Sequence, residues 1–124
     1  VALNPARQFA LARNTQRWSN VNTLLSAVWQ RMIDHRGVWT TDATCVATLP
    51  SSVKPIGSGN GNVDLNPCLV PTYVSSMVED PSVGTDADTG YTISVGTNGR
   101  VTISAPNTEL TGAPDNVAVI AVTR

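Results

Sequence analysis

The chain has 124 residues, enough for one domain burying roughly two-thirds of its unfolded surface, and its 41% apolar and 14% charged residues exclude a disordered tract. With one Phe, two Tyr and three Trp, the core has to be built mostly of Val, Leu, Ile and Ala. A net charge of −1 hides a polarity: residues 1–37 hold Arg7, Arg13, Arg17, Arg31 and Arg36 against Asp34, whereas residues 38–124 hold three basic and eight acidic groups.

That polarity reads either as a solvated basic helix face or as one of two complementary surfaces used between copies of the chain. No run approaches the ~18 consecutive apolar residues of a membrane helix, and the start of the chain lacks the charged region followed by an apolar run that marks a signal peptide. The start at Val1 reads as that of a processed or truncated product.

The first predicted element is a long helix. Asn4 is a good N-cap, Pro5 suits the first helical position, and Gly37 stops the helix after Arg36. At 100° per residue, Trp18, Val21, Leu25, Val28, Trp29 and Met32 fall within an arc of about 100°, the width of a core-facing stripe. From Pro5 to Arg36 the helix would span about 48 Å, while a domain of this size is about 35 Å across, so it should protrude. Phe9 points about 150° away from the stripe's centre, and Ala10, Leu11 and Ala12 spread apolar surface around the rod; an apolar residue on the wrong face of a protruding helix wants a partner from another chain. His35, at the rim of the stripe near the helix end, is expected to be structural.

Residues 38–89 read as loop, punctuated by Pro55 and the run Gly57 to Asn62, with one short helix near residues 70–78, where Val70, Tyr73, Val74 and Met77 recur at helical spacing. Cys45 and Cys68 lie in this segment. A bridge between them would close a loop of about two dozen residues, contribute roughly 3 kcal/mol in the chain-entropy treatment, and point to an oxidising compartment. A metal site made of Cys alone would need more ligands, and a reactive thiol would need a nearby base, so a disulfide is expected.

Residues 90–124 are strand-like. Tyr91 to Val95 and Val101 to Ala105 alternate strictly, and a common apolar face requires Val95 opposite Val101 and Gly96 opposite Arg100, leaving Thr97, Asn98 and Gly99 as the turn. A third strand is expected over Val117 to Thr123; apolar on both faces, it should be central or covered. The fold class is therefore α+β: a helical spine (1–37) packed on a three- or four-stranded antiparallel meander in a head of residues 38–124.

Reactive constellations are missing from the sequence: there is one His, no Gly-rich phosphate loop with Lys, no paired metal-binding His and no nucleophile elbow, which points away from an enzyme. Asp80, Asp86 and Asp88 are candidate calcium ligands in a loop containing glycine. Asp86-x-Asp88 opens like an EF-hand loop, but Gly90 comes one place early and no glutamate stands at the twelfth position; the alternative is a solvated acidic turn. Arg7, Arg13, Arg17 and Arg31 fall along one helix flank, which could give DNA a modest, salt-sensitive affinity.

The order of long helix, irregular loop and small meander resembles that of type IV pilins and the related type II secretion pseudopilins. Local strings add to it: Leu3-Asn4-Pro5-Ala6-Arg7-Gln8-Phe9, Val70-Pro71-Thr72-Tyr73-Val74, Glu79-Asp80-Pro81, Gly90-Tyr91-Thr92-Ile93-Ser94, and Gly99 to Pro106. The resemblance implies a pilin-like fold and a structural subunit of a pilus serving adhesion, motility or DNA uptake, or of a secretion pseudopilus. It further implies an upstream leader and apolar half-helix, anchoring in the inner membrane facing the periplasm before assembly, and a final place in an extracellular or cell-surface filament. Partners would be other copies or related pilins, met through Phe9, Leu11, Arg7, Arg13 and Arg17. Major pseudopilins carry calcium in a loop of this region, which the resemblance extends to the three aspartates. From a different class comes a secreted binding module that grips its target with the Cys45–Cys68 loop.

Overall fold

The computed structural model describes residues 4–124; Leu3, the first residue of the N-terminal string, lies outside them. Helix α1 (Pro5–Asp34) has 30 residues, a rod about 45 Å long. Asn4 caps it, its side-chain oxygen accepting from the Arg7 N–H at 3.2 Å, with Pro5 in the first turn. At the other end Arg36 and Gly37 both take positive φ, and the Gly37 N–H folds back onto the Met32 carbonyl at 2.7 Å. His35 Nδ1 donates to the Arg31 carbonyl at 2.8 Å, a local role in the last turn.

The remaining elements are β1 (Lys54–Pro55), α2 (Asn66–Leu69), β2 (Thr92–Val95), β3 (Val101–Ala105) and β4 (Ile120–Thr123). The strands form one antiparallel sheet in sequence order, so the architecture is α+β. The hairpin has the register that alternation requires: Val95 faces Val101, and the Gly96 N–H reaches the Arg100 carbonyl at 2.9 Å. Gly99, at φ 79°, supplies the left-handed residue of the turn.

Helix α1 lies across β3 and β4, enclosing Val21, Leu24, Leu25 and Val28 with Ile93, Val101, Ile103 and Ile120. Three expectations are corrected here. The short helix is at Asn66–Leu69 and not near residues 70–78, because Val70, held extended before Pro71, ends it. Strand β4 covers only Ile120–Thr123 and is an edge strand; its outward residue Ala121 and the preceding Val119 are exposed, and α1 covers the other face. Trp18 is 46% exposed and not part of the core. It lies roughly 60–80° around the helix from Val21 and Val28, beyond the edge of the covered arc.

The first half of α1 is not the bare rod its length implied. Residues 106–119 run alongside it, bringing Glu109 to Arg13 and Asp115 to Arg7. Residues 4–9 stay exposed, and burial begins at Ala10.

Candidate functional site: the start of helix α1 and its polar clasp

Beneath the first half of α1 the face turned to the head is polar. Asn14, Arg17 and Asn20 are all buried, Arg17 completely. The Arg17 guanidinium makes two bonds to Asp80, Nε to Oδ2 at 2.8 Å and Nη2 to Oδ1 at 3.1 Å. It also donates to Glu109 at 2.6 Å, Asn14 Oδ1 at 3.0 Å and Ser82 Oγ at 2.8 Å. Glu109 in turn receives Arg13 at both carboxylate oxygens. Asn14 behaves like a strand neighbour, accepting the Glu109 N–H at 3.0 Å and donating to its carbonyl at 2.9 Å.

The charges respond as pairing in a dry site requires. Burial alone would push the Asp80 carboxyl up, but the Arg17 guanidinium and the Ser82 N–H and hydroxyl outweigh it and hold the group below the ordinary carboxylate range. Hydrogen bonding from Arg13, joined by Arg17, lowers Glu109 to about 2 against burial. Asn20 completes the clasp by donating to the Glu79 carbonyl at 3.1 Å and the Tyr91 hydroxyl at 2.7 Å. Burial pushes that phenol up.

Asp80 anchors more than Arg17. Its Oδ1 accepts from the Ser82 and Val83 N–H groups, and the loop then closes so tightly that a Cβ on Gly90, at φ 85°, would lie 2.5 Å from the Asp80 Cβ. Glycine is required there.

This geometry revises the site residues read from sequence. Arg17 faces its own head and offers nothing to a neighbour. The basic flank proposed for DNA is dismantled: Arg7 pairs with Asp115, Arg13 with Glu109, Arg17 with Asp80 and Arg31 with Asp42, the last two arginines being buried. The charge polarity of the sequence is thus largely satisfied within one chain. The calcium triad is likewise broken up, because Asp80 is committed to Arg17 while Asp86 and Asp88 sit on the exposed loop, with Asp88 accepting the Gly90 N–H. No three His, Cys, Asp or Glu side chains converge on a metal position among the described residues.

Cys45 and Cys68 are joined in a disulfide whose residues are both buried. Arg31 ties this loop to the helix, donating to the Thr40 carbonyl at 2.8 Å and, at 3.4 Å, to the Cys68 carbonyl, with its guanidinium 5.2 Å from the Trp39 ring centre. Along the loop runs an open groove of about 490 Å³ that includes Val46, Pro50, Lys54 and Val63 and no aromatic side chain.

On the outer surface of α1, Phe9 is 64% exposed and Leu11 partly so, on opposite sides of the rod. Sequence reasoning singled out these two together with Arg7, Arg13 and Arg17 as interface residues, and Asp80 as a calcium ligand. It missed Asn14, Asn20 and Glu109, although one signal was present: Ala10, Asn14, Arg17, Val21, Leu24, Val28 and Arg31 recur at alternating spacings of four and three, and every one is buried.

Among the described residues no helix is long and apolar enough to cross a membrane. No family model, curated protein or solved structure matches the chain.

Proposed function

We propose that the chain is the head and half-helix of a structural subunit of a type IV pilus, working by assembly and not by catalysis. The observation that carries the reading is Phe9, 64% exposed at the start of a 30-residue helix that is fastened to the head so firmly that even an arginine is buried beneath it. A large aromatic held exposed on a rigid helix is the kind of surface that another chain covers. The disulfide fits an oxidising, extracytoplasmic location. The reading includes an apolar half-helix upstream and a surface filament as the assembled form.

The test uses the full-length gene product in its own cells. Phe9→Ser should abolish filaments sheared from the cell surface while leaving the melting of the isolated head unchanged, since exposed substitutions change stability within about 0.5 kcal/mol, and Leu11→Ser should abolish filaments too. Wild-type yields of filament from both variants would refute it. Sheared material lacking the chain, together with lost protein secretion on deletion, would select the pseudopilus instead. The secreted binding module is favoured by the groove along the disulfide-closed loop; a plain cleavable signal peptide upstream would select it.

A further inference from the structure

Two surfaces of the head carry charges that the chain itself does not neutralise. The first is an apolar groove of about 500 Å³ at the hairpin end, lined by Met32, Val38, Trp39, Leu49, Val95 and Val101. Gly37 and Gly99 also line it, so the backbones of their exposed chain neighbours Arg36 and Arg100 lie beside it. Neither guanidinium has a carboxylate partner among the described residues, in contrast to Arg7, Arg13, Arg17 and Arg31.

The second surface is loop 79–88. Asp86 and Asp88 are exposed, Glu79 is half-buried, none of them has a salt-bridge partner among the described residues, and Val83 in the same loop is 53% exposed. The nearby Asp86 carboxylate, with burial, raises the Glu79 carboxyl above its ordinary value, a like-charge crowding that a neighbouring cation would relieve.

The two surfaces are at opposite ends. Loop 79–88 is fastened to α1 at Arg17 and Asn20, whereas the groove is built at Met32 and Gly37, roughly 20 Å further along the helix. Strand β2 also runs from the loop end towards the hairpin end. A two-fold pair centred on either surface would set like charge against like, whereas a head-to-tail contact sets each surface against its complement and repeats from copy to copy.

We infer that the groove receives loop 79–88 of a second copy, with Val83 entering the apolar floor and Arg36 and Arg100 facing Glu79, Asp86 and Asp88. The inference rests on the filament reading and names one of its contacts. Both patches have an apolar centre and a charged rim, the anatomy of a protein–protein interface.

Sedimentation of the described chain at low salt tests it. The wild type should self-associate up to millimolar concentration and come apart at high salt, where exposed charges are screened. R36E/R100E and D86K/D88K should each associate about tenfold more weakly or less, and an equimolar mixture of the two should recover association. V83S should weaken it without altering its dependence on salt. A wild type that stays monomeric at millimolar concentration, variants that associate like it, or a mixture that does not recover would each overturn the contact. The filament reading fails separately: filaments that persist on cells carrying R36E/R100E but vanish with Phe9→Ser would leave that reading standing and this contact refuted.

Discussion

Asp80→Asn puts the clasp to a quantitative test. Arg17 and Asp80 are both completely buried and joined by two hydrogen bonds, so replacing the carboxylate leaves a guanidinium in a dry site with Glu109 as its remaining counter-charge. Removing one partner of a buried pair costs about 3–5 kcal/mol, and the part-exposed Glu109 keeps the expectation near the lower end, about 3 kcal/mol. Against a total stability of about 5–15 kcal/mol this is a large fraction, and it should lower the melting temperature by about 10 °C. The assay is urea unfolding at neutral pH with the disulfide intact, followed by tryptophan fluorescence and circular dichroism. R17M/D80L, which removes both charges for apolar groups, should recover much of the loss, so that the double-mutant cycle shows strong coupling. A loss below about 1 kcal/mol, the range of exposed pairs, would mean that water reaches the site and that the clasp does not hold the helix as argued.

Three further outcomes follow, two from carboxylates and one from the disulfide. Glu109 titrates at about 2 in the folded chain, below its ordinary 4.5, so its contribution is complete above the ordinary value and lost as pH falls through about 2; in acid melts Glu109→Gln should flatten that limb. Glu79 has the opposite sign: its raised folded value costs stability once pH exceeds its ordinary range, so Glu79→Gln should raise the melting temperature at neutral pH, and a lowered one would contradict the crowding by Asp86. Reducing the Cys45–Cys68 bridge should cost about 3 kcal/mol. It should first loosen the loop reported by Trp39, whose indole N–H donates to the Ala47 carbonyl at 2.8 Å, and an unchanged urea midpoint would refute that estimate.

The parts of the fold legible in the sequence are those set by local chemistry or strict alternation. Asn4 and Pro5 start α1, Gly37 ends it, and the parity of two alternating runs fixes the Val95–Val101 register. What the sequence hid was decided by competing or long-range terms. Helical spacing over residues 70–77 competes with Pro71, whose effect on Val70 prevails. The two-residue strand β1 exists because Lys54 and Pro55 meet Ile93 and Thr92, which no local pattern announces. Apolar alternation in β4 reflects α1 on one side and says nothing of the free edge. In the candidate site, Phe9 was legible as an aromatic off the core stripe. The clasp was not, because polar residues on a buried helix face look solvent-facing until Asp80 and Glu109 are brought to them across 63 and 92 positions of chain.

That polar half of the seam bears directly on how Phe9 is presented. Apolar side chains such as Val21 and Val28 pack without strong directional demands, and by themselves tolerate small rotations of a helix on its sheet. A guanidinium held by two hydrogen bonds to one carboxylate, with Asn14 bonded to both the N–H and the carbonyl of Glu109, does not. Turning α1 by one residue, about 100°, would break all four bonds at once and bury charge without a partner. The clasp therefore holds α1 at one rotation about its axis. Phe9, eight positions before Arg17 on the same rigid rod, inherits that orientation.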